Sequence, residues 1–80
     1  MLISLVKMHP GEKGVICAVQ GGFGVARRIQ QMGLRVGKTV KKEAGHTMKG
    51  PQSVLVDNFK IAIGFGMSEK IIVEVKRDKK

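Results

Sequence analysis

Apolar residues in this chain come in short runs that alternate with polar ones, and glycine, proline or asparagine punctuates the gaps between them. Runs of about five alternating residues suit half-buried strands and are too short for most helices, so the pattern predicts a small antiparallel barrel. Leu2–Val6 reads as the opening strand, followed by a turn through Pro10-Gly11-Glu12. Val15–Val19 is next, with Val15, Cys17 and Val19 on one face and Ile16 and Ala18 on the other. Thr39–Ala44 follows, polar on one side, and leads into a loop over Gly45–Gln52 that contains Gly50-Pro51. Ser53–Val56 and Lys60–Ile63 form a hairpin around Asp57-Asn58-Phe59, because asparagine tolerates the positive φ of tight hairpin turns. Ile71–Val75 closes the sheet.

One segment breaks the period. Val25, Ile29 and Met32 recur at i, i+4 and i+7 while Arg27, Arg28, Gln30 and Gln31 fall on the other side, which is the spacing of a short amphipathic helix. Gly33 stands where a left-handed residue ends a helix, and Leu34 stands where a contact back to Ile29 locks that ending.

The 80 residues allow one domain, assigned to 1–76, with 77–80 as a frayed basic tail. A single cysteine, Cys17, cannot form an internal disulfide, which points to a reducing compartment and a cytoplasmic protein. The start, MLISLVK, is too short for a secretory core, and no apolar run reaches the roughly 20 residues that cross a bilayer. The formal charge of +9 favours anionic partners.

Two glycine motifs resemble phosphate binders without their context. GLRVGKT, Gly33–Thr39, has three residues between its glycines where a P-loop needs four, and it leaves a helix C-terminus, which repels anions. QGGFGVA has G-x-G after a strand, yet Arg27 replaces the third glycine and the chain is too short for a doubly wound nucleotide fold. The glycines are expected to serve tight turns, with Phe23 folding back over the core. His9, Cys17 and His46 lack metal-ligand spacing, so no metal site is expected; Cys17 reads as a small buried hydrophobe. No nucleophile signature surrounds Ser4, Cys17, Ser53 or Ser68, and the six acidic residues are isolated, so neither catalysis nor a cofactor is expected. A nucleic-acid barrel would use Arg27, Arg28, Arg35, Lys38, Lys41 and Lys42 against phosphates, although Trp and Tyr are absent for stacking.

The order of the motifs is more specific than any one of them. PGEKGVI, then a glycine turn into a helix ending QQMGLRVG, then Gly50-Pro51 before a hairpin, then IAIGFGMSEKIIVEV, together resemble the FeoA family, ferrous iron transport protein A. Val36 stands where the family often has proline and Asn58 where it often has glycine, and both suit the same backbone. The resemblance implies a mainly β fold, a small SH3-like five-stranded antiparallel barrel with one short inserted α-helix. It also implies a non-enzymatic cytosolic accessory of bacterial ferrous iron uptake, acting by contact with the cytosolic GTPase region of the membrane transporter FeoB. A similar domain ends some iron-dependent repressors, where it serves protein contacts. On this reading Arg27, Arg28 and Arg35 are the candidates for charge-steered contacts and Met32, Leu34 and Met67 for an apolar patch. The alternatives are a basic nucleic-acid-binding barrel and an Fe(II)-binding chaperone using Cys17 or His46.

Overall fold

Asp57 and Asn58 both adopt positive φ, 51° and 70°. That is the geometry of a two-residue type I′ turn, whose twist matches that of the strands it joins. It sets the register of β4 (Gln52–Val56) on β5 (Phe59–Ile63), running from Val56↔Phe59 to Gln52↔Ile63. The computed structural model describes residues 1–44 and 50–77. Most of the loop expected at Gly45–Gln52 therefore lies outside the described residues, and Gln52 itself begins β4.

The remaining elements are β1 (Leu2–Ser4), a single 3-10 turn (Leu5–Lys7), β2 (Lys13–Val19), α1 (Gly22–Gln31), β3 (Thr39–Ala44), α2 (Phe65–Glu69) and β6 (Ile71–Glu74). All strand pairings are antiparallel, in the order β1-β6-β2-β3-β4-β5. Six strands form, one for each of the six runs read from the sequence, where the family resemblance implied a five-stranded barrel. The opening run is cut to three residues, because Leu5 turns inward on the 3-10 turn and is fully buried, yet Leu2–Ser4 still pairs with Glu74–Ile72 as a ladder of its own. Among the described residues β1 and β5 end the sheet and do not pair with each other.

Two local devices shape β2. Gly14 lies so close to the closing segment that an added Cβ would meet Val75 Cγ1 at 2.9 Å and Glu74 O at 3.2 Å. Two residues on, the register against β6 slips between Ile16 and Ala18, so Cys17 is the extra residue of a bulge. The expected faces are corrected in two ways: Val15 and Cys17 do share a face, but it is the outer one, alternating with buried Gly14 and Ile16, and the bulge then turns Val19 in against the core. Ile16 is the fully buried residue of this strand.

The helix start was expected at Val25, but α1 begins at Gly22, after Gly21 at φ 96°. Its end matches the sequence reading. Gly33 has φ +89°, its N–H donates to Gln30 O at 3.0 Å, and Leu34 N–H donates to Ile29 O at 3.2 Å, the paired bonds of a Schellman motif. Ile29 and Leu34 are both buried in the one core cluster. α2 was not anticipated, since five residues carry no readable helical period. Buried Ser68 fixes it by donating its Oγ–H to Gly64 O at 2.9 Å.

Candidate docking surface

α1 lays Val25 and Ile29 on the core and leaves Phe23, Arg27 and Arg28 on the outside. Phe23 was expected to fold back over the core, yet 84% of it is exposed. Placed between Gly22 and Gly24 in the first helical turn, it has no side-chain neighbour in sequence to shelter it.

The segment after the helix is pinned at both ends. Ile16 N–H donates to Lys38 O at 2.9 Å, Gly37 N–H to Ile16 O at 2.8 Å, and Lys38 N–H to Arg35 O at 3.0 Å. With Gly37 at φ +96°, Arg35–Lys38 is a type II turn and Val36 occupies the position where proline is favoured. Val36 is therefore presented at the tip, 65% exposed. The same bonds dispose of the P-loop resemblance, because the Gly37 and Lys38 amides are consumed within the fold and Lys38 Nζ pairs with Asp57.

Between the helix and this turn runs a groove of about 230 Å³ lined by Val19, Ala26, Gln30, Leu34, Arg35 and Val36. Leu34, expected in an apolar surface patch, is its buried floor, only 1% exposed. Met32 and Met67 are half-buried and packed against the core, and Met67 belongs to a different element, α2. The structure thus gathers Arg27, Arg28, Leu34 and Arg35 around the last turns of α1 and leaves Met67 apart. Between Glu12 and Glu43 the sequence has no acidic residue, and among the described residues none of the three arginines meets a carboxylate. The sequence reading missed Phe23 and Val36; the flanking glycines of the one and the turn position of the other were the available signals.

The expected phosphate-binding set does not form one surface. Lys42 faces the core and is buried, its Nζ donating to Leu5 O at 3.2 Å, Val6 O at 3.3 Å and Met8 O at 3.1 Å. Burial pushes its pKa down from 10.5, with nearby Glu12 opposing the shift. Glu12 is itself gripped by Arg77, whose Nε and Nη2 donate to its two oxygens at 2.7 and 2.8 Å, while His9 N–H donates to Glu12 Oε1 at 2.9 Å. The guanidinium bonds foremost, and the His9 amide after them, hold the carboxyl at about 2 against burial. Arg77, expected to begin the frayed tail, is thus tied to the body of the fold, and residues 78–80 lie outside the described residues. Of the suggested iron ligands, Cys17 is exposed and directs its thiol to Val15 O at 3.5 Å, whereas His46 lies outside the described residues. No helix among the described residues is long and apolar enough to cross a membrane.

Comparison with known proteins is consistent across sequence and structure. The FeoA domain model matches residues 3–75. A protein of Methanocaldococcus jannaschii named as an Fe(2+) transport protein A is 31% identical over 64 residues, covering 80% of this chain and 76% of that protein. The crystal structure of an iron uptake regulatory protein, FeoA, superposes with a TM-score of 0.86 at 32% identity, covering 92% of this chain and 97% of the other. A manganese-dependent transcriptional repressor shares the fold, with a TM-score of 0.83 at 17% identity, over 94% of this chain and 42% of the repressor.

Proposed function

The chain belongs to the FeoA family, with its SH3-like fold, and from that premise we propose that it is a non-enzymatic cytoplasmic accessory of ferrous iron uptake that docks α1 and the following turn on the cytosolic GTPase region of an FeoB-type transporter. The observation that carries this reading is that exposed Phe23, Arg27 and Arg28 on α1 are followed by a rigidly tied turn presenting Arg35 and exposed Val36 at the edge of a groove, with none of the three arginines meeting a carboxylate among the described residues. Burying Phe23 in a partner pocket is worth roughly 2–3 kcal/mol. Arginines around such an anchor steer an acidic partner and fix its orientation. A pinned scaffold loses little conformational entropy on binding, which suits recognition.

The nucleic-acid alternative has lost two of its six cations, Lys42 to the interior and Lys38 to Asp57. The iron-chaperone alternative has no supporting cluster among the described residues.

The test is titration of the full chain against the isolated GTPase region of the transporter, together with anaerobic iron uptake in cells lacking the chromosomal copy. Phe23→Ala, and Arg27→Glu combined with Arg28→Glu, should each weaken binding at least tenfold and lower uptake while leaving thermal stability unchanged. Wild-type affinity and uptake in both variants would rule the proposed surface out.

A further inference from the structure

The outer face of the sheet, away from α1, carries a different kind of charge. Strand registers place Lys13 directly opposite Lys41, Lys41 opposite Leu55, and Leu55 opposite Lys60, so these residues form one row across β2, β3, β4 and β5. Lys76 extends the row beyond Lys13, since the pairing Val15↔Glu74 runs on towards it and both lysines line one groove of about 470 Å³ with Gly14, Val15 and Thr39. A second groove of about 390 Å³ shares Lys13 and Thr39 and continues to Lys41 and Leu55. The carboxylates that line these grooves are already engaged, Glu12 by Arg77, Asp57 by Lys38 and Glu74 by the Met1 ammonium; like charges directly opposite each other weaken a sheet, so the Lys13–Lys41 pair works against folding and is open to an external counter-charge. The adjoining row, Leu2–Glu74–Val15–Thr39, supplies aliphatic surface, with Leu2 62% exposed. Its one carboxylate, Glu74, is neutralised by the Met1 ammonium.

We infer that this lysine row is a docking face for an anionic membrane surface, with Lys13, Lys41, Lys60 and Lys76 among phospholipid phosphates and Leu2 and Val15 at headgroup depth. Charge complementarity selects the occupant's sign, and residue type selects its class. Lysine is a flexible point charge suited to fluid, unfixed phosphates, whereas arginine's rigid fork suits a partner of defined geometry; the four cations of the sheet row are all lysine, whereas the two cations on α1 itself are Arg27 and Arg28. A single-stranded nucleic acid needs aromatic platforms for its bases. None of the three phenylalanines lies on this face: Phe23 is on α1, Phe65 on α2, and Phe59 pairs with inward-facing Val56. Basic residues near an anionic leaflet attract it additively and in a salt-dependent way.

The test is co-sedimentation of the full chain with vesicles of neutral phosphatidylcholine alone or mixed with phosphatidylglycerol, at low and physiological salt. The chain should bind only the anionic vesicles, and more weakly at the higher salt. Each lysine is worth about fivefold in partitioning, so Lys13→Gln with Lys41→Gln should lower it by about 25-fold. The same variant should be at least as heat-stable as the wild type, since a repulsion is removed. Should it fold poorly, Lys60→Gln with Lys76→Gln carries the same expectation. Arg27→Gln with Arg28→Gln should retain most vesicle binding, which separates this face from the α1 surface. The inference falls if anionic vesicles are not bound, if neutral ones are bound equally, if the arginine pair matters as much as the lysine pair, or if a single-stranded oligonucleotide at equal phosphate concentration binds more tightly than the vesicles.

Discussion

Replacing Lys42 with methionine tests whether a buried ammonium holds the 3-10 turn against the sheet. The two side chains are similar in length and volume, so the perturbation is chemical rather than steric. Three carbonyls lose a donor, but unequally. Leu5 O still accepts Met8 N–H at 3.1 Å, and Val6 O is only partly buried and can turn to water. Met8 O is buried and is left without this partner. One buried acceptor orphaned costs about 1–3 kcal/mol, with a smaller loss at Val6, and relief from burying a charge offsets part of it. The expected net loss is about 2 kcal/mol, a large share of the roughly 4–12 kcal/mol that holds a domain of this size.

Urea denaturation followed by circular dichroism at neutral pH measures that loss. A second readout comes from alkaline pH. Because burial lowers the Lys42 pKa below 10.5, the unfolded chain holds the proton more tightly than the folded chain between the two values. Native stability contributed by this group therefore rises with pH across that window, and the variant lacks the rise. The gap between wild type and variant should widen as pH climbs toward 10.5. A variant as stable as the wild type at neutral pH, or a gap that narrows on raising the pH, would refute the account of Lys42 as a donor held in place by Leu5, Val6 and Met8.

Gly33→Ala isolates the helix stop: an added Cβ meets nothing within 4 Å, so the cost is the left-handed backbone alone, about 1–2 kcal/mol. Calorimetry should show a melting temperature lower by roughly 5–15 °C, and an unchanged value would deny Gly33 this role. The Glu12–Arg77 pair predicts acid sensitivity. Its depressed carboxyl pKa, about 2 against 4.5, gives stability that is fully present above pH 4.5 and is lost as pH falls toward 2. Arg77 keeps 30% of its side chain in solvent, so screening reduces the effect, and the denaturation midpoint of Glu12→Gln should vary less with pH over that interval than that of the wild type.

The sequence exposed whatever depended on short-range geometry. The Asn58 turn, the Gly33 stop and the limits of β3 need only a few neighbouring residues, and each appears as read. It concealed whatever depended on a distant strand. Which face of β2 is the core is set by the packing of Gly14 and Ile16 on distant β6 and Val75, and the bulge at Cys17 is set by the fit of the same strands, so neither the exposure of Cys17 nor the inward turn of Val19 could be read locally. Lys42 lies in a strand rich in lysine, and its inward orientation follows from carbonyls 34 to 37 residues away. The candidate surface was half legible: exposed Arg27, Arg28 and Arg35 follow from helical spacing and turn position, whereas Phe23 and Val36 gain meaning only once backbone bonds fix the turn beside the helix.

The net charge of +9 also reads differently once its members are placed. Lys42 is consumed by the interior, and Arg77 and Lys38 are neutralised by Glu12 and Asp57. Of the other described cations, all but Lys7 and Lys70 fall into two unlike sets, Arg27, Arg28 and Arg35 on α1 and the turn after it, and Lys13, Lys41, Lys60 and Lys76 in a row on the outer face of the sheet. A charge needed only for solubility would have no reason to set Lys13 against Lys41, where it costs stability, when loops were available. Two binding surfaces on opposed sides of one small sheet would let the protein hold a cytosolic partner and a bilayer at once. Each weak contact then raises the local concentration for the other, and even modest individual affinities suffice for residence at the membrane.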